Sequence, residues 1–248
     1  LSKVATDGTT YILEPVAQIA WSGGNDLDAA NEESTRIEFD EGNLLSLSRF
    51  PAEDRVARGV RAAYGLNWSR VAKDKWSANF TFAQVIHAEA DSDFTVSSGL
   101  GGSGSDFLQA GQLKTTNGFA LPARGLCDGV IGVNKVAARA SWRNTKLQLA
   151  TSYIWLGPDV AEDRTTPLAE WVIDSRYRMS RHWSGLIDWS YDVANRSISE
   201  AGIGGEYRNE CVKMDFSVSR PFTSSATVQS NTGIGFYLSF LGFSVPTP

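Results

Sequence analysis

Between Val60 and Phe240 the chain repeats one pattern, with apolar side chains at every second position and polar or small ones between them. A period of two is that of a β-strand, and a strand so written has one face for an apolar medium and one for water. Trp183, Ile187, Trp189, Tyr191 and Val193 share one parity, and His182, Ser184, Asp188, Ser190 and Asp192 the other. Val60, Ala62, Tyr64, Leu66 and Trp68 alternate with Arg61, Gly65, Asn67 and Ser69 in the same way. So do Val212, Met214, Phe216 and Val218 with Lys213, Asp215, Ser217 and Ser219. No helical period persists over two turns.

The pattern predicts about twelve strands: 10–21, 55–70, 75–89, 105–113, 118–127, 135–143, 146–156, 168–178, 182–193, 199–208, 211–220 and 233–243. Alternation is poorest at 105–113 and 118–127, where Pro122 interrupts. The connections run long, short, long, short. The first gap, 22–54, is the longest; VAKD at 71–74, Asn144-Thr145, Ser180-Arg181 and Asn209-Glu210 are among the short ones. A meander whose two rims differ this way has the layout of an outer-membrane barrel, with short periplasmic turns and long extracellular loops. Tilted strands of about 9–11 residues are long enough to cross a bilayer. Trp68, Trp76, Trp155, Trp171, Trp183 and Trp189 lie on the apolar parity, many near segment ends, as interfacial girdles require. The alternative that the pattern leaves open, a soluble sandwich or lipocalin-like barrel, would turn the same aromatics inward and overfill its core.

Composition removes other classes. The net charge is -5, without a basic cluster, so nucleic acid is not an expected partner. No run of about 18 apolar residues marks a transmembrane helix. The chain opens at Leu1 inside polar sequence, which reads as a processed chain or a piece of a longer one. Two cysteines and two histidines form neither a disulfide framework nor a zinc site, and no metal or cofactor is expected. If the chain ends in the periplasm, Cys211 sits at the periplasmic rim and Cys127 near the extracellular one. An apolar band about 25 Å tall then separates them, against the roughly 7 Å a disulfide allows between Cα atoms, so the two are not expected to pair.

Three stretches carry a resemblance. YILEP at 11–15, IEFDEGNLLSLSRFPAEDR at 37–55 and EYRNECVKMDFSVSRPFTSS at 206–225 resemble the LptD family of outer-membrane lipopolysaccharide-assembly proteins, also called organic solvent tolerance proteins. The likeness runs from about residue 8 to 243 and is poor over 90–130. It implies an all-β, antiparallel up-and-down transmembrane β-barrel. About 12 strands would be present here, part of a larger barrel of about 26. Residues 1–248 would be the C-terminal half of that barrel, with an N-terminal jelly-roll and the early strands absent. A barrel cut this way has two unpaired edges.

The resemblance further implies insertion of lipopolysaccharide into the outer leaflet through a lateral gate between the first and last strands. The implied partners are an LptE-type lipoprotein plug, lipopolysaccharide, and periplasmic bridge proteins reached through the jelly-roll. It places Gly233, Ile234, Gly235, Phe236, Tyr237, Leu238, Ser239 and Phe240 on the gate strand, where Gly233, Gly235 and Gly242 either ease opening or relieve crowding. Cys211 takes the position of a family cysteine bonded to the N-terminal domain; an incidental rim thiol is the other reading. Cys127 matches no family cysteine and reads as an unpaired wall or rim thiol.

Other features stay open. The acidic run Glu38-Phe39-Asp40-Glu41-Gly42-Asn43 folds into the lumen, meets cation-bridged lipid phosphates, or is a solvated loop. Arg61, Arg139, Arg143, Arg176, Arg178 and Lys213 on the polar parity oppose Glu170, Asp174, Asp188, Asp192, Glu206 and Asp215, a mixture suited to a hydrated, plugged lumen. His182 reads as a lumen residue. The competing functions are an independent 12-strand pore for small solutes and an outer-membrane hydrolase. The second lacks a serine motif beside His87 or His182, so no enzyme activity is expected.

Overall fold

The computed structural model describes residues 1–23, 37–51, 56–73, 75–91, 93–129, 132–222 and 231–241. Regular structure among them is thirteen strands: β1 (Ser2–Val4), β2 (Thr10–Ser22), β3 (Gly59–Val71), β4 (Ser77–His87), β5 (Phe107–Lys114), β6 (Phe119–Asp128), β7 (Gly132–Arg143), β8 (Leu147–Leu156), β9 (Leu168–Arg178), β10 (Trp183–Asp192), β11 (Ser197–Arg208), β12 (Val212–Pro221) and β13 (Gly233–Phe240). Hydrogen-bonded neighbours follow chain order from β1 to β13, an antiparallel up-and-down sheet. Single 3-10 turns occur at Val96–Ser98 and Val160–Glu162. Among the described residues no helix is long and apolar enough to cross a membrane, which says nothing of strands.

All twelve alternating segments are strands. The weak pair 105–113 and 118–127 forms β5 and β6, registered from Phe107↔Cys127 to Lys114↔Ala120, and the pairing runs through Pro122, which removes one ladder donor. The sequence reading missed β1, three residues too short to show alternation, paired Ser2↔Ile12 to Val4↔Thr10. It also began the third strand too early: β3 starts at Gly59, and Ala57 is buried in a loop core instead. Gly242 and most of the loop at 221–232 lie outside the described residues.

By contacts the chain divides into two compact units, Leu1–Thr116 with Ala120–Ala138 and Ile154–Leu168, and Asn117–Phe119 with Arg139–Tyr153 and Ala169–Pro248. In the first, register sets the faces. Val16, Gly65, Ala83, Leu108 and Leu126 stand abreast, as do Gln18, Ala63 and Val85. This is the parity that elsewhere carries polar residues, yet here most of its members are small or apolar and buried. Loops 37–51 and 93–106 lie over them as a cap. Phe39, Leu44, Phe50, Phe94 and Leu100 join Ala63, Ala83, Val85, Leu108 and Leu126 in one cluster. Phe50 and Phe94 stack at 4.6 Å, and the Phe39 N–H donates to the Ser98 carbonyl at 2.9 Å, tying the loops together. A Cβ on Gly65 would meet Ala83, the Phe82 carbonyl and Leu44 at 3.0–3.1 Å, so the cap sits this close only over a residue without one. The opposite parity leaves Ile19, Trp21, Val60, Leu66, Phe80 and Ile86 exposed.

In the second unit the alternation is uncapped. Ile187, Ile203, Val218 and Ile234 form one apolar row across β10–β13, all exposed. The other face carries the row Arg178, Ser184, Glu206, Asp215 and Tyr237. An exposed apolar row beside a charged row is the segregation expected of a wall between lipid and water.

Candidate functional site

β13 stands at one end of the strand order and, among the described residues, pairs only with β12, from Val212↔Phe240 to Ser219↔Gly233. Half of its backbone groups therefore lack a strand partner among the described residues. Ile234, Phe236, Leu238 and Phe240 project on the apolar face, with Ile234 83% and Phe236 60% exposed, and Phe236 keeps a ring contact to Phe216 at 5.0 Å. Gly233, Gly235, Tyr237 and Ser239 fall on the other face. A Cβ on Gly235 would meet Ser217 Oγ at 2.6 Å, so glycine here leaves room for the serine hydroxyl on the polar side. The gate residues named from the sequence thus lie on one strand, apolar outward and small or hydroxylated on the other side.

Cys211 lies in the β11–β12 turn. Asn209 Oδ1 accepts from the Cys211 and Val212 N–H groups at 2.9 and 2.7 Å, which fixes the turn and leaves the thiol exposed. It opens onto a surface cavity of about 550 Å³ lined by Arg181, His182, Arg208, Asn209, Glu210 and Cys211. Cys127 is also a free thiol, half-buried at the far end of β6 on the parity of the apolar face, with Gln109 at 3.8 Å.

The acidic run resolves into a folded element. Phe39 is fully buried, Asp40 and Asn43 cap one another's N–H groups at 2.8 and 3.0 Å, and the carboxylates reach the wall. Glu38 pairs with Lys135 at 2.7 Å and Arg124 at 3.5 Å, and Glu41 with Arg124 at 3.0 Å. Burial opposes ionisation of Glu41, but the Arg124 guanidinium outweighs it and holds the carboxyl below its ordinary range. Where the cap meets the wall, two cations and an imidazole are buried. Arg49 is 2% exposed, and Arg61 and His87 are buried beside it. Arg49 donates to the Leu44 carbonyl, and Arg61 to Ser22 Oγ and the Ala57 carbonyl at 2.9 and 3.3 Å. Burial, then the charge of Arg61, pulls Arg49 down to about 10, so it remains protonated at neutral pH.

A second loop element is built around Asp159. It accepts from the Ser97 and Ala161 N–H groups at 2.7 and 3.0 Å. Arg164 is paired with Glu162 at 3.1 Å and also bonds Ser97 Oγ.

On the polar face of the second unit, several of the mixed charges meet as pairs. Arg176 lies 2.8 Å from Glu206, Lys213 3.3 Å from Glu206 and 2.9 Å from Asp215, and Arg139 3.9 Å from Asp174. Asp192 instead caps the turn at Asn195. His182 Nδ1 is 3.0 Å from the Arg208 carbonyl, which only accepts, so that nitrogen carries the proton. Among the described residues no group of His, Cys, Asp and Glu is arranged to hold a metal ion.

The strand order is that of one antiparallel all-β sheet, and in its second unit an exposed apolar row and a charged row lie on opposite faces. The sequence model of one family, described as LPS transport system D, matches residues 3–183. The chain belongs to the LptD family. The matched stretch is well over half the chain and extends through 90–130, where the quoted motifs are missing. LptD proteins are outer-membrane β-barrel proteins of Gram-negative bacteria that serve lipopolysaccharide transport and assembly, a transport family and not one known for enzymes. β11–β13, with Cys211 and the residues of β13, follow the matched stretch. No curated protein matches the chain significantly.

Proposed function

We propose that this LptD chain is part of the translocon that inserts lipopolysaccharide into the outer leaflet, and that β13 is one side of the lateral gate. The observation that carries this reading is the seam itself: β13 has one strand neighbour, an exposed apolar face toward lipid, and Gly233, Gly235 and Ser239 on the polar face, so a saccharide headgroup and acyl chains have separate sides to follow. In this reading the chain is the C-terminal half of a larger barrel of about 26 strands, and the strand opposite β13 comes from the other half. The polar face of β9–β12, with its paired and unpaired charges, faces an LptE-type lipoprotein plug. Cys211 tethers the periplasmic jelly-roll through which bridge proteins deliver substrate, and its exposed thiol at a turn rim leaves it accessible to such a bond.

A photo-crosslinking residue at Phe236 or Tyr237, compared with one at Ile187 on the mid-wall, tests the gate. Pulse-labelled lipopolysaccharide is expected to form adducts at 236 and 237 that depend on energised transport and chase away. Adducts at Ile187 should be insensitive to transport. Equal, transport-independent labelling at all three positions would refute the gate assignment.

A further inference from the structure

Three hairpin ends of the second unit, at 144–146, 180–182 and 208–210, meet on the polar face around a cavity of about 310 Å³. Lys146, Arg176, Arg178, Arg181 and Arg208 line it, with Glu206 as the one acid. Glu206 is buried and already engaged by Arg176 at 2.8 Å and Lys213 at 3.3 Å. No acidic partner within ion-pair distance engages Lys146, Arg178, Arg181 or Arg208 among the described residues. Four positive charges therefore surround one small cavity without compensation from the fold, and all four side chains remain open to solvent.

We propose that this cavity binds a phosphate monoester. A carboxylate brings one charge, whereas a phosphate brings up to two and three acceptor oxygens. Arginine forks match phosphate geometry bidentately, and lysine adds a point charge. Asn144, Gln148 and Ser184 also line the cavity and supply neutral donors. The volume suits a single phosphorylated sugar ring and not a polymer. The source is either a phosphorylated glycolipid or free phosphate. The glycolipid arm deepens the translocation reading and rests on it; the phosphate chemistry does not. Because the cations are exposed, binding weakens with added salt.

The test uses the protein that carries this chain, purified in detergent micelles, with calorimetric titration of three probes: inorganic phosphate, a bisphosphorylated glycolipid, and the same glycolipid dephosphorylated. The expected result is preference for the phosphorylated glycolipid, competition by inorganic phosphate, and a loss of about tenfold or more in the double variant R178Q/R208Q. The charge-matched control K3Q/K73Q, which removes two exposed lysines outside the cavity, should bind as the wild type does. Unchanged heat-modifiable migration shows that the variants fold. Inorganic phosphate bound through Arg178 and Arg208 without glycolipid binding upholds the phosphate site and removes only the lipid source. Equal affinity for both glycolipids, with the double variant binding as the wild type does, overturns the proposal.

Discussion

Phe39→Ala separates the loop cap from the wall beneath it. The ring is fully buried in the cluster that joins loops 37–51 and 93–106 to β3–β6, and its own N–H ties one loop to the other through the Ser98 carbonyl. Truncating a buried phenylalanine costs about 3–5 kcal/mol, from lost transfer free energy plus the cavity left behind. Each 1.4 kcal/mol is about a factor of ten, so the opening equilibrium of the cap should rise by roughly two to nearly four orders of magnitude. The wall should hold, because its pairing ladders do not run through Phe39. Hydrogen exchange read by mass spectrometry in micelles checks this. Peptides covering 37–51 and 93–106 should lose protection, those covering β10 and β11 should keep it, and the gel shift between heated and unheated samples should persist. Unchanged exchange in the loops would show that the cap does not depend on this ring. Equal loss in β10–β11 would show that cap and wall are one cooperative unit. Either result refutes the reasoning.

Gly118→Ala should weaken the β5–β6 turn by at least about 1–2 kcal/mol, because Gly118 sits at φ +88° and a Cβ would fall 2.0 Å from the Arg143 carbonyl oxygen; a lowered urea midpoint for folding into vesicles measures it. Burial raises Asp106 above the ordinary carboxylate range, aided by the charge of Asp128 and opposed by the hydrogen bond from Asn134. A group raised in the fold favours folding below its unfolded value and loses that contribution as pH rises through the folded one. The share of protection over 93–106 that Asp106 carries should therefore be larger at pH 4 than at pH 7, so the pH 4 to pH 7 ratio of protection factors, corrected for intrinsic exchange, should fall in D106N. Asp159 has the opposite sign: burial raises it, but the Ser97 and Ala161 bonds and Arg164 hold it low, so its contribution is lost on acidification. D159N should lower protection around Ser97 at neutral pH, with the gap to wild type closing in acid. Cys211→Ser should abolish any mixed-disulfide species on non-reducing gels of cell envelopes; persistence of that species would show that another thiol forms it.

Most strands were legible because their two faces meet different surroundings, and that demand writes itself into the chain every second residue. β5 and β6, where alternation is poorest and Pro122 interrupts, were the least legible of them. The cap was not legible in the same way. Its cue was indirect: Ala63, Gly65, Ala83 and Ala110 stand where the polar parity should carry larger hydrophilic side chains, while Phe39, Leu44, Phe94 and Leu100 put apolar bulk into connections. Alternation alone does not say which loop covers which wall. The rim cavity was hidden for another reason. Lys146, Arg181 and Arg208 come from three separate hairpins, and only strand order brings them to one place. β1 was missed because three residues cannot show a period.

The nearest-neighbour order of the sheet also sets the sequence of events by which it forms. Every pairing from β1 to β13 closes a loop between strands consecutive in the chain, so each step has a small closure entropy and leaves a fresh edge for the next strand. The cap breaks this rule. Arg124 on β6 meets Glu41 across 83 residues, and Phe39 reaches Ser98 only when both loops are in place. Its contacts are therefore the late ones in this unit. Hairpins can be laid down one by one, and the cap locks only after β6 has arrived, which makes it a marker of completed assembly rather than a nucleus for it.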